Sequence, residues 1–285
     1  MTRAPAALLA LLLAPAALAD VAVTDDTGAE VRLAGPARRI VTLAPHATEL
    51  VFAAGAGAAL VATVEHSDEP PAARALPRVG GLAGIDREAL LAARPDLVVA
   101  WQSGNPPGLL AWLERRGIAV YRSEPRRLAD VDHSVAALAA LAGLPAPAPP
   151  AAAPAAPLPV PVTALFLFWD APLIAAGADH VLSDLLRECG ATPAVAGLSG
   201  KSVVLSHETL LAARADLVFT TDGRVLTYRG IGGAADRYVA LPIGDAERQA
   251  LQAAQRPGPR LHLSHAAVCR RIAERAVILR GPGAG

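Results

Sequence analysis

The chain has 285 residues, 26 basic and 26 acidic side chains, 53% hydrophobic residues and two cysteines. That length accommodates one large domain or two ordinary ones with a sizeable core. The balanced charge argues against a nucleic-acid surface, which needs a basic excess, and no basic run marks a polyanion partner.

The start of the chain bears on the compartment. Arg3 supplies a short positive segment, residues 6–13 are apolar, and Ala17-Leu18-Ala19 fits the small-x-small cleavage rule. A signal peptide over 1–19 and a mature start at Asp20 are expected, and with them export to the periplasm. The competing reading is a membrane anchor. Pro15 interrupts the apolar run, which is short against the roughly 20 residues of a span. No Cys follows the cleavage site, so no lipid anchor is expected.

Residues 21–24 and 30–33 flank Asp25, Asp26, Thr27 and Gly28 and predict a hairpin. The run 39–43 is expected as the first core strand. A helix should follow to Ala54, capped by Thr48 or the preceding turn and stopped by Gly55 and Gly57. Residues 60–64 read as a second strand and 65–71 as a turn-rich loop. Residues 85–101 then combine a short amphipathic helix, a tight turn and a buried strand. The same unit returns at 205–221. Without gaps, Glu88 meets Glu208, Leu90 meets Leu210, Arg94 meets Arg214 and Asp96 meets Asp216. Abundant Ala and Leu could produce part of this match, but charged residues in register suggest two similar lobes.

A helix is expected over 108–116, ended by Gly117, then a strand over 118–121 and an Ala/Leu-rich helix over 128–142 closed by Gly143. Residues 145–161 are rich in Pro and Ala. Each interior Pro costs a helix about 3 kcal/mol, so this segment predicts an extended linker. Beyond it come a strand at 163–168, a loop at 169–172, a helix at 179–189 ended by Gly190 and the second copy of the repeat. A strand at 238–241 follows, and a last helix around 264–276 comes after Arg256-Pro257-Gly258-Pro259. Strands alternating with helices imply an α/β fold with mostly parallel sheets. The expected plan is two Rossmann-like lobes, 20–127 and 163–285, joined by an interlobe helix and Pro/Ala-rich linker over 128–162, with a ligand cleft between them.

No Gly-x-Ser-x-Gly elbow, His-Glu-x-x-His, phosphate loop or Gly-x-Gly-x-x-Gly after a strand occurs in the sequence, so an exported enzyme is a remote alternative. Of the seven histidines only His262 and His265 are close in sequence, and no dedicated metal site is expected. In an oxidising compartment Cys189 and Cys269 suggest one disulfide, two buried thiols being the alternative. Ligands of parallel α/β lobes sit beyond the carboxyl ends of strands. That rule nominates Pro45 and His46, the loop with Glu69, Trp101 with the loop holding Ser103, and Phe168 with Trp169. Two Trp at strand ends make walls for a flat ligand; the plainer alternative has them capping the core.

Several of these stretches together resemble a known family. The run Arg39-Ile-Val-Thr-Leu-Ala-Pro-His-Ala-Thr-Glu-Leu-Val-Phe-Ala-Ala-Gly, the pairs Ser67-Asp68 and Pro70-Pro71, Arg94-Pro95-Asp96-Leu97-Val98-Val99-Ala100-Trp101, and Ser103-Gly104-Asn105 look like periplasmic cobalamin-binding proteins of ABC importers. The first of these motifs also fit the wider class of receptors for haem and ferric siderophores. The resemblance covers most of 39–142 and more weakly 163–221 and the segment from Arg256 to Cys269. It implies a monomer whose two lobes clasp cobalamin, with no resident cofactor. It further implies a disulfide between Cys189 and Cys269, and a glutamate on each lobe, Glu88 and Glu208, docking a permease dimer. Trp101 matches a corrin-contacting tryptophan, Phe168 a ligand-facing aromatic and Arg256 a polar cleft residue. If the ligand were haem or a ferric siderophore, His46 or Tyr228 would be the candidate iron ligand. The sequence departs from the family pattern at three aromatic positions. Glu69 stands where the family has a tyrosine, and two further cleft tryptophans fall near Leu82 and Ser202. A less aromatic cleft is expected. The family's long interlobe helix is also replaced by a shorter one followed by the Pro-rich stretch.

Overall fold

The computed structural model describes residues 20–81, 83–150, 157–228 and 238–281. The expected signal segment, Leu82 and part of the Pro-rich linker (151–156) lie outside the described residues. In chain order the elements are β1 (Val21–Thr24), β2 (Glu30–Leu33), β3 (Ile40–Thr42), α1 (Pro45–Ala53), β4 (Leu60–Ala62), β5 (Gly80–Gly81), β6 (Gly84–Ile85), α2 (Arg87–Ala92), β7 (Leu97–Trp101), α3 (Pro107–Glu114), β8 (Ala119–Ser123) and α4 (Leu128–Leu141). Then come β9 (Thr163–Asp170), β10 (Leu173–Ala176), α5 (Val181–Glu188), β11 (Thr192–Pro193), β12 (Ser202–Leu205), α6 (His207–Ala213), β13 (Leu217–Thr220), β14 (Val225–Tyr228), β15 (Tyr238–Ala240), α7 (Asp245–Gln252) and α8 (Leu261–Arg280). No helix among the described residues is long and apolar enough to cross a membrane.

The N-terminal sheet has the order β4-β3-β7-β8 and every pairing in it is parallel. Its central strands are buried along their apolar runs, as strands covered on both faces must be. The C-terminal sheet is mixed, with the order β12-β10-β9-β13-β14-β15 and β11 on the edge of β9. Only β9–β13 and β9–β11 are parallel. The cause is local. β9 does not stop at Phe168 but runs through Trp169 and Asp170, and residues 171 and 172 turn it straight back into β10. So short a connection permits only antiparallel pairing. Half of the expected 169–172 loop is therefore strand.

Of the two caps expected for α1, Thr48 and the preceding turn, the first is not found. The helix begins at Pro45, with Ala44 at the cap position and no side-chain cap. Proline suits the first helical position because its missing N–H has no partner there in any helix. Thr48 caps nothing. Its hydroxyl joins a buried cluster with Thr42, Thr63 and Ser67, at 2.7 to 3.2 Å, which fastens α1 and the 65–71 loop to the ends of β3 and β4.

The repeat is structural in detail. Asp86 caps α2 through the Glu88 and Ala89 amides, and Ser206, at the matching position, caps α6 through the Thr209 amide. Arg94 and Arg214 both adopt a left-handed backbone, φ 45° and 44°, an uncommon state for a residue with a Cβ. The following aspartates then clasp the neighbouring strand. Asp96 accepts from the Arg38 and Arg39 amides, and Asp216 accepts from the amide and hydroxyl of Thr163. Each unit thus fixes its own strand beside the start of the lobe's central strand.

The lobes share apolar packing. Leu50 and Val51 of α1, Leu138 and Leu141 of α4, Val162, Phe166, Leu185 and Val268 belong to a single buried cluster. A disulfide joins Cys189, just past α5, to Cys269 of α8. Gly143, at φ 70°, ends the α4 region, and the described linker residues form no helix.

Candidate functional site

The N-terminal wall of the cleft is built at the end of β7. Trp101 is 37% exposed there. Its indole lies on Gly104, where a Cβ would collide with the ring. Asn105 holds the loop in place. Its Oδ1 accepts from the Trp101 amide at 2.7 Å and its Nδ2 donates to the Leu43 carbonyl at 3.0 Å. His46 meets the indole edge-on, with ring centroids 5.5 Å apart. In front lies a hollow of about 370 Å³ lined largely by apolar residues, among them Pro45, Val64, Ile85, Trp101 and Leu109.

The two lobes meet at a polar cluster beside this wall. Glu124, just past β8, accepts from the Ser103 amide at 2.7 Å and hydroxyl at 3.1 Å. Lys201 reaches across from the other lobe and pairs with the same carboxylate. Burial pushes the Glu124 carboxyl up, but hydrogen bonds from Lys201 and Ser103 outweigh it and hold the group below the usual range. His180 caps α5, its Nδ1 accepting from the Leu182 amide, so the neutral ring carries its proton on Nε2. Phe168 stands against it, with centroids 5.0 Å apart. Burial lowers the His180 pKa to about 4, with Lys201 adding to the effect. His46 is also held at about 4, by burial first, with Glu124 opposing and Arg256 reinforcing. Both rings are neutral at neutral pH. A 260 Å³ pocket between the lobes is lined by Trp101, Ser103, Glu124, Phe168, His180 and Lys201, among others.

The rim carries a second charged bridge between the lobes. Glu49 of α1 is buried and accepts from Arg256 at 3.1 Å and from Arg260 at 2.9 Å. Arg256 also pairs with Asp68 at 2.7 Å and donates to the His66 carbonyl. A buried carboxylate is tolerable only when paired and hydrogen-bonded, and two guanidinium groups meet that need.

The residues nominated from sequence fall into neighbouring hollows. Pro45 and Trp101 share the apolar one, and Trp101, Ser103 and Phe168 share the interlobe pocket. Phe168 and Trp169 line a third, of 320 Å³, with Thr221 and Asp222. Trp169 is 61% exposed, its indole donating to the Ala171 carbonyl. Glu69 and Arg256 border a broad hollow of 890 Å³ on the rim. His46 lines none of these four. It sits behind Trp101, and its Nε2 has no hydrogen-bond partner among the described residues. Glu88 and Glu208 are exposed in the first turns of α2 and α6, without an ion pair among the described residues. The side chain of Tyr228 lies outside the described set. Sequence reasoning missed Glu124, His180 and Lys201. The strand-end rule, extended to β8, would have reached Glu124; nothing local in the sequence marks Lys201.

Comparison with known proteins places this geometry. A family model described as periplasmic binding protein matches residues 40–236. A vitamin B12-binding protein of Vibrio cholerae serotype O1 is 32% identical over 197 residues, 66% of this chain and 71% of that relative. One from Pectobacterium atrosepticum is 29% identical over 262 residues, covering 83% and 89%. Among solved structures, the periplasmic vitamin B12-binding protein BtuF of Vibrio cholerae superposes with a TM-score of 0.62 at 27% identity, over 86% of this chain and 98% of that one. The periplasmic heme-binding protein RhuT from Roseiflexus sp. RS-1 has the same fold, with a TM-score of 0.61 at 20% identity over 84% and 99%. The match runs from β3 past β14 and so takes in both copies of the repeat and both walls of the cleft: the chain belongs to the periplasmic binding protein family.

Proposed function

We propose that the chain captures cobalamin between its lobes and delivers it to the permease of an ABC importer, by binding and release and without catalysis. The carrying observation is the composition of the cleft, in a chain whose curated relatives are named for vitamin B12. Trp101 and Phe168 offer apolar faces, and Ser103, His180 and Lys201 line the same pocket. A corrin has that pattern, a flat apolar ring fringed by amides. In this reading Trp101 packs on the corrin, Pro45 and Phe168 flank it, Ser103 meets an amide and Trp169 borders the far side. His46 supports the indole from behind. Arg256 shapes the rim with Glu69 nearby, its guanidinium being committed to Glu49 and Asp68.

The test is to mix protein with cyanocobalamin, desalt it and record the visible spectrum. Corrin absorbance should elute with the protein. Its absence, with haem eluting instead, overturns the reading in favour of the second one, haem or a ferric siderophore. That alternative draws on the shared fold with the heme-binding structure. Its test is a haem Soret shift that disappears in His46→Ala.

The lobes at 20–127 and 163–285, with the connection at 128–162, form the proposed working division. A monomer exported by a cleaved signal at 1–19 would work in the periplasm. Glu88 and Glu208, exposed at matching positions, are the proposed contacts with the two subunits of the permease dimer. Charges so placed set orientation and on-rate more than affinity. An acidic residue in a first helical turn also favours the helix dipole, which is the plain alternative. Cobalamin uptake should fall sharply when both become Ala, and normal uptake at normal protein level removes the docking role.

A further inference from the structure

Away from the cleft, one cluster gathers the atoms that bind borderline metal ions. Cys269 and His265 lie four residues apart on α8 and so share a helix face. Cys189 comes to them from the end of α5. The two sulfurs and a ring nitrogen of His265 all lie within 4.8 Å of one another. Nε2 is 3.5 Å from the Cys269 sulfur and 3.4 Å from Oε2 of Glu188. Cys189 and His265 are buried.

These distances match a specific polyhedron. With Zn–S about 2.3 Å, Zn–N about 2.05 Å and Zn–O about 2.1 Å, tetrahedral angles demand an N···S edge of about 3.5 Å and an N···O edge of about 3.4 Å. Both edges from His265 are already near those lengths. The sulfur pair must open, because bonded sulfurs would have to part to about 3.8 Å to share a zinc ion. Breaking the covalent bond frees both sulfurs as ligands, and Glu188 must turn inward to close the set.

We propose that reduction of the Cys189–Cys269 disulfide turns this cluster into a tetrahedral site for zinc or a similar divalent ion, held by Cys189, Cys269 and His265 with Glu188 in the fourth position. The reductant is a dithiol. Its thiolate attacks one sulfur, the Cys189–Cys269 bond breaks, and the second reductant thiol resolves the mixed disulfide. The reductant leaves as its own disulfide, and two electrons and two protons pass to the cysteines. Metal binding then releases those two protons to solvent. The exposed Glu188 side chain swings inward to complete the site. The junction of α5 with α8 is then cross-linked in either redox state, covalently when oxidised and through the ion when reduced.

Cobalt(II) is the probe. Full-length protein is reduced with a phosphine, which binds the metal far more weakly than a dithiol does, freed of the excess and titrated anaerobically. One equivalent should raise thiolate-to-cobalt charge-transfer absorbance and the visible bands of tetrahedral cobalt, and one equivalent of zinc should abolish both. Oxidised protein should show neither. His265→Gln and His265→Ala, each folded as judged by circular dichroism of the oxidised form, should weaken binding by about tenfold or more, since one of three strong ligands is gone. The proposal is overturned if the reduced protein shows no tetrahedral bands, if both His265 variants titrate like the parent, or if the bands arise only as helical circular dichroism is lost.

Discussion

The two lobes use the same unit and reach different ends. In both, a capped short helix passes through a left-handed arginine to an aspartate that clasps the next strand. At the carboxyl end of that strand they diverge. The N-terminal copy ends in Trp101, seated on Gly104 and tied down by Asn105. The C-terminal copy ends at Thr220, and Thr221 follows, with the lobe's tryptophan displaced to the neighbouring hairpin and mostly exposed. The comparison separates what holds a lobe together from what meets a ligand. The scaffold of the unit is repeated, and the wall it presents is not.

The largest effect expected is on acid stability, and each lobe contributes one histidine to it. His46 and His180 titrate near 4 in the folded chain, against about 6.5 for a free imidazole. The unfolded chain therefore binds more protons between those values. Stability is complete above about pH 6.5 and falls as pH drops towards 4, by about 3 kcal/mol per histidine at most. Urea denaturation at pH 7.5 and 4.5 checks this, with His46→Gln and His180→Gln each flattening the dependence. Glu124 and Arg256 also face His46, and a parallel Glu124→Gln measurement separates the share of the carboxylate.

Next come the walls. Trp101→Ala should weaken cobalamin binding by about 2 kcal/mol, roughly thirtyfold, as loss of a central aromatic anchor does. Gly104→Ala should act in the same direction while leaving the indole present, because the added methyl displaces it. Trp169→Ala should cost less than about 0.5 kcal/mol, since so exposed a ring has little buried contact to lose. Equal losses at the two tryptophans in equilibrium titration would break the asymmetry. A separate pair of variants tests the shared scaffold. Asp96→Asn and Asp216→Asn should each destabilise by about 1–2 kcal/mol, because each weakens a charge-assisted clasp. A much larger loss in one lobe would show that the copies are not equivalent.

Much of this architecture was legible in the residues. Glu, Arg and Asp in register marked the repeat, and the run from Arg39 to Gly55 marked the first strand and helix. Local pattern carries such elements because burial imposes its period on the chain. The C-terminal hairpins were not legible. β10, β12 and β14 span only four residues each, and pairing with distant strands decides them. The same limit hid the polar bridges. Lys201 meets Glu124 across 77 positions, and Arg260 meets Glu49 across 211. Thr48 offers a capping hydroxyl in the sequence, but that hydroxyl serves a buried cluster that only the folded loops assemble.

The single apolar cluster beneath both lobes has a consequence for cutting the chain. A fragment ending at residue 127 would keep every strand of the N-terminal sheet but lose α4, and Leu50 and Val51 would face water where Leu138 and Leu141 now belong to the same core. The boundary that is visible by eye is not one at which the polypeptide can be divided. A fragment ending at residue 127 should therefore not fold by itself, because its core stays open where α4 packs.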